Sequence, residues 1–264
     1  PSLKNFLVEA AEAVPHHDGG TLEELWRTQQ GMAPGTPLSL GNLGGGSDYV
    51  GFYNHIGVPS LGHGFGGGSG IGHSAYDTYA FVTRFADPGF KAHTTSSRLL
   101  AVAALRLANA TVLPYDYERF GREMSGIVEG LLSDGKRTED ERKALRGLVS
   151  AFRDMEGTGR TLNTARAHAL EKGMNKVQAQ EANSHLRRVE RAMTREEGLV
   201  GRPWFKNLMF AADYDNGYAT MALPTVQEAL KAGESVRVIR ETQDLTARVN
   251  EANLEIIAAI GAMG

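Results

Sequence analysis

The sequence contains no cysteine, which excludes disulfides and thiolate-bound metal but says nothing about compartment. No apolar run reaches the length that a membrane-spanning helix needs. Charge of one sign is not concentrated anywhere: 28 Lys and Arg stand against 31 Asp and Glu, for a net charge of −3. Nucleic-acid binding needs a basic patch or stripe, so that function class is excluded. The opening residues PSLKNFLVEAAEAV hold no secretory signal, because Glu9 and Glu12 interrupt any apolar core. Two nucleophile or phosphate signatures are missing as well. There is no Gly-x-Ser-x-Gly elbow, and no Lys follows the glycine-rich run GFGGGSGIGH. A Gly-x-Gly-x-x-Gly string, GHGFGG at 62–67, overlaps the start of that run and is an accident of composition.

The 264 residues suffice for one large domain or two modest ones, and 41% hydrophobic with 22% charged residues is ordinary for a globular chain. Glycine is concentrated between Gly31 and Gly72, so a loop-rich first part precedes a helical second part. Leu3, Phe6, Leu7, Ala10 and Val14 share one helical face over residues 2–14. TLEELWRTQQ, residues 21–30, opens with Thr21 and Glu24 at capping-box spacing. At most a short strand is expected at 38–40, a helical turn at 48–55, and a short buried strand at 56–61 that Pro59 restricts to an end or edge. Residues 90–109 read as a helix apolar nearly all round, hence buried. Beyond the break at Pro114, residues 115–132, 138–172, 175–196 and 235–262 carry apolar positions at three- and four-residue spacing, the ingredients of a four-helix bundle. Between the last two lies an irregular, aromatic-rich insert, residues 198–223, with Trp204, Phe205, Phe210, Tyr214 and Tyr218. A loop of that length is commonly functional or fixed against another surface.

Among the histidines, His73 in HSAYDTY draws attention, because Asp77 follows four residues later. An imidazole is a good zinc ligand whose tautomer a carboxylate fixes, yet an isolated His also serves as an ordinary surface or core residue, and spacing does not decide. His63 lies in the same loop. His16 and His17 sit in a turn with Asp18 and read as solvated. His55, His93, His168 and His185 fall on helical patterns without carboxylates at ligand spacing, and Glu181 with His185 reads as a solvated pair.

Four stretches point to a family: GGGSDYVGFYNHIGVPSLGHGF (44–65), GHSAYDTYAFVTRFADPGFKAH (72–93), LANATVLPYDYERF (107–120) and RPWFKNLMFAADYDNGYATMALPTVQEAL (202–230). In this order they strongly resemble glutamate carboxypeptidase II and its relatives, including the transferrin receptor, within the co-catalytic zinc aminopeptidase-like superfamily. The resemblance implies a fold in two parts. Residues 1–112 would be the C-terminal part of an α/β zinc-peptidase domain, a remnant of mostly helices with a short strand or two. Residues 113–264 would be an all-α, four-helix-bundle-like domain for homodimerisation, leaving the chain predominantly helical.

It also implies a site with two zinc ions and a general-base Glu. Of the ligands only the last His has a counterpart here, His73, supported by Asp77; the others and the Glu would lie upstream of Pro1. The chain would then be the C-terminal part of a larger peptidase, inactive alone and partnered by its upstream portion and a peptide substrate. Ser47, Gly72 and Tyr218 fall on the family's substrate-pocket positions. Where the glutamate-binding relative has two Arg, a Tyr and a Lys, this sequence has Gly62, Gly64, Gly72 and Gly217. Loss of those groups implies a pocket not specific for glutamate. Relatives are exported or anchored by an N-terminal segment, so an exported, periplasmic or extracellular location is expected. The alternative is a catalytically dead, receptor-like or structural dimerisation protein.

Overall fold

The computed structural model describes residues 1–65 and 70–264. The chain divides into two compact units. One gathers residues 4–40 and 62–110; the other gathers residues 1–3, 41–61 and 111–264.

In the first of these units, α1 (Lys4–Glu12) packs on α2 (Leu22–Gln29) and on α4 (Lys91–Ala108). Phe6, Leu7, Ala10, Leu22, Leu99 and Ala103 are buried in its core. Thr21 and Glu24 close the expected capping box on α2. The glycine- and proline-rich loop that follows is held by side chains rather than by a strand. Arg27 donates to Ala33 O and Thr36 O at 2.8 and 2.7 Å, and Gln30 exchanges two hydrogen bonds with the Ser39 backbone. No strand forms at 38–40. A single turn, α3 (Tyr79–Phe81), runs into a π-helical turn, Val82–Ala86.

Helix α4 departs from the expectation of complete burial. Thr95, Leu99 and Ala103 are buried, but Leu100 and Leu105 are 55% and 64% exposed. A helix apolar all round needs cover on every side, and the described residues cover one.

In the second unit, the four long helices appear as expected: α5 (Tyr117–Leu132), α6 (Glu139–Lys172), α7 (Lys176–Ala192) and α9 (Ser235–Met263). Asp116, Thr138 and Asn175 cap the first three through their side chains, the latter two as capping boxes. Helix α6 packs on α5 and α9, and α9 packs on α7. The core joins Phe120 and Met124 of α5, Leu148 and Phe152 of α6, Leu186 of α7 and Val249 of α9. Two glycines let α5 and α6 cross closely: a Cβ on Gly121 would overlap the backbone of Phe152 and Glu156, and one on Gly159 the backbone of Tyr117 and Glu118.

Two corrections concern the irregular parts. The 56–61 segment is no strand; Ile56 is 49% exposed, and the turn before it, Gly51–His55, is π-helical. The 198–223 insert is not wholly irregular either. It holds an antiparallel pair, β1 (Phe210–Ala212) with β2 (Thr220–Ala222), followed by α8 (Pro224–Ala232), which packs on α9. Strands of three residues are too short to show a period of two, which explains why the pattern gave no signal.

Candidate functional site

The residues singled out in the sequence divide between the two units. Gly72, His73 and Asp77 belong to one, Ser47 and Tyr218 to the other.

His73 sits in a chain of tight turns, with Ser74 N donating to Ile71 O at 3.0 Å and Asp77 N to Ser74 O at 3.1 Å. Its φ is +64°, a left-handed conformation shared among the described non-glycine residues only with Phe90 and Leu223. The Asp77 carboxylate lies 3.4 Å from the His73 backbone N–H, so it faces the main chain that presents the imidazole. Both residues are exposed. His63, by contrast, is engaged: its Nε2 lies 3.2 Å from Ser96 O.

A structural zinc site takes four protein ligands and a catalytic one three. Among the described residues, the one group of three His or carboxylate donors within 4.8 Å of each other is His16, His17 and Asp18, in the turn after α1. His73 is not part of it. The described residues of this chain therefore do not make up a zinc site around His73.

The second group is built by backbone packing. Gly44, Gly45 and Gly46 lie against the β1–β2 hairpin, where a Cβ on each would overlap Thr220, Gly217 and the Tyr218 ring respectively. Only glycine allows that approach, and it carries Ser47 alongside the loop that holds Tyr218. That loop is fixed from within. The Asp213 carboxylate accepts from Asp215 N and Asn216 N at 2.9 and 3.1 Å, and Asn216 Oδ1 accepts from Tyr218 N at 3.1 Å. The two backbone bonds hold the Asp213 carboxyl below the usual carboxylate range, with Lys231 adding to the effect. Tyr218 is 69% exposed and Ser47 is exposed.

At Gly62, Gly64, Gly72 and Gly217 an added Cβ meets none of the described residues within 4 Å. Crowding by the described residues thus does not require glycine there, unlike at Gly44–Gly46.

Several motif residues do work that spacing does not reveal. Asp87 accepts from Ala92 N and His93 N at 3.0 and 2.9 Å and from His93 Nδ1 at 2.6 Å, capping α4 from four residues outside it. His185 bonds Glu255 of α9 at 2.6 Å rather than Glu181. His55 stacks on Trp204 with ring centroids 4.9 Å apart.

Residues 138–256 match the model of the transferrin receptor-like dimerisation domain. The chain is 31% identical over 238 residues to a probable glutamate carboxypeptidase, LAMP1, of Arabidopsis thaliana, covering 87% of this chain and 32% of that protein. A probable glutamate carboxypeptidase of Arthroderma benhamiae is 27% identical over 90% of this chain and 33% of its own length. The aminopeptidase NAALADL1 of Rattus norvegicus is 23% identical over 80% and 30%. The chain belongs with the glutamate carboxypeptidase and transferrin receptor-like proteins. It corresponds to a C-terminal part of such a protein and spans about a third of the length of the curated relatives it matches. This glutamate carboxypeptidase-like chain is predominantly helical, as the resemblance implied.

Proposed function

We propose that this chain supplies one metal-ligating imidazole, His73, and part of a pocket wall to a zinc-dependent peptidase, whose other ligands and general base lie in the remainder of the protein. Residues 1–112 complete the peptidase domain and residues 113–264 form the homodimerising helical domain. The observation that carries the reading is similarity to proteins named as carboxypeptidases and an aminopeptidase along 80–90% of the chain. The uncovered apolar side of α4 supports it, since that side suits a peptidase domain larger than this chain. The chain alone is inactive, because one imidazole does not hold zinc. Export of the protein belongs to the same proposal.

Gly62, Gly64 and Gly72 in one unit, and Gly217 in the other, stand where the resemblance puts charged or hydroxylated side chains in a glutamate-binding relative, so the proposed substrate is a peptide without an obligatory acidic end.

The test is made in the full-length protein, by measuring peptide hydrolysis and zinc content with and without His73→Ala. The expected result is loss of bound zinc and a fall in kcat/KM beyond the 10–100-fold typical of losing a supporting partner. Unchanged zinc and unchanged activity would overturn the ligand assignment, and a full-length protein that binds no zinc and cleaves no peptide would favour a receptor-like or structural role.

A further inference from the structure

Helix α9 carries two rows of residues, and only one has a partner in this chain. The inner row, Val238, Thr242, Leu245, Val249, Ala252, Ile256, Ala259 and Met263, is buried and steps by four and three throughout. A second row, Ala247, Asn250, Leu254, Ile257 and Gly261, steps by three and four and is exposed along its whole length. The rows are offset by five residues, which is about 140° around the helix at 3.6 residues per turn. Leu254 and Ile257 are 65% and 50% exposed.

Ordinary solvent faces of helices are charged. From Ala252 to Gly264 the one charged residue is Glu255, and it is turned to α7, bonded to His185 at 2.6 Å and Arg188 at 3.0 Å. The outward face of the last turns is therefore free of charge. Alternating steps of three and four are the period that keeps a seam facing another helix. Small residues at both ends, Ala247 and Gly261, permit close approach, and a single Asn in such a seam fixes register. The row lies within and just beyond residues 138–256, the span matching a dimerisation domain.

We propose that the outer row of α9 is the apolar centre of the homodimer interface, packed against a second copy of this chain across a two-fold axis. The proposal rests on the homodimer reading above and adds the face and the residues that carry it.

The absence of cysteine supplies a clean test. In a two-fold interface some residue lies next to its own copy, so Ala247→Cys, Asn250→Cys, Leu254→Cys and Ile257→Cys are made singly and oxidised. At least one is expected to give a covalent dimer, whereas Val200→Cys, exposed but in the loop after α7, gives none. Sedimentation of Leu254→Asp/Ile257→Asp is expected to show at least about a 100-fold rise in the dimer dissociation constant, as loss of central anchors produces. Both positions are exposed, so the helicity of the variant stays at the parent value, while its thermal midpoint falls only by what loss of association removes; Val200→Asp leaves the dimer intact. A double variant that stays dimeric, with no cross-link at any of the four positions, overturns the proposed face and leaves the homodimer reading standing. A parent chain that sediments as a monomer overturns both. In the full-length protein, protection of Leu254→Cys from maleimide without dimer formation would assign the face to the protein's own upstream portion and overturn the proposal.

Discussion

Asn207 holds three main-chain groups with one side chain. Its Nδ2 donates to Tyr53 O at 3.1 Å, and its Oδ1 accepts from Met209 N and Phe210 N at 2.8 and 3.3 Å. Asn54 answers from the other side: its Nδ2 donates to Phe210 O at 2.9 Å, and its main-chain carbonyl accepts from Lys206 N and Asn207 N at 2.8 and 3.0 Å. Both residues are buried. The pair fixes the π-helical turn at 51–55 to the stretch that becomes β1. Asn207→Ala strands two buried donors and one acceptor, and each unmet group costs about 1–3 kcal/mol. The expected loss of stability is about 3 kcal/mol, read as a lower urea midpoint at unchanged slope; a loss below about 0.5 kcal/mol would show that water replaces the side chain. None of this was legible in the sequence, because the partners lie some 150 positions apart. Local signals did survive. The capping box read at Thr21 involves residues three apart, and it forms.

Among the elements, the long helices were legible because their apolar positions repeat over many turns, while the hairpin and the false strand at 56–61 were not. Helix α4 shows both outcomes. Its period is clear in the sequence, but its cap lies outside it, at Asp87. The backbone bond from His93 is the main cause holding the Asp87 carboxyl down to about 2, from the ordinary 3.8, with further contributions from the His93 ring and Ala92 N–H. In the unfolded chain this carboxyl takes up its proton as pH falls through 3.8, whereas in the fold it stays ionised to about pH 2. Across that interval the unfolded state binds more protons, so the capping contribution, complete above pH 4, is lost as pH falls toward 2. Asp87→Asn, which keeps the shape and loses the charge, is expected to lower stability near neutral pH and to flatten the acid limb of the pH–stability curve in that interval. An identical acid limb in parent and variant would show that the carboxylate does not govern the end of α4.

For the whole molecule, what the sequence conveyed best was kinship, and what it conveyed least was how far the candidate metal ligand is supported by its own chain. From Ile71 to Ala86, the stretch containing His73 and Asp77, no residue is buried. Four of its aromatic residues, Tyr76, Tyr79, Phe81 and Phe85, are not buried despite their size, and Tyr76, Tyr79 and Phe85 are 73–77% exposed. Aromatic side chains of that size gain by burial, but among the described residues none covers this run. Local stability follows buried apolar contact and protected backbone bonds. Hydrogen exchange of this chain is therefore expected to show the amides of 72–86 opening at almost no free-energy cost. Those near Leu148 and Phe152 of α6 and Val249 of α9, fully or nearly fully enclosed, should exchange only through global unfolding. In the full-length protein the amides of 72–86 should slow by several orders of magnitude, because the proposed peptidase domain would enclose them. Equal protection of Val82 and Leu148 in the isolated chain would mean that the His73 stretch already has its core, and the case for its needing the rest of the protein would fall.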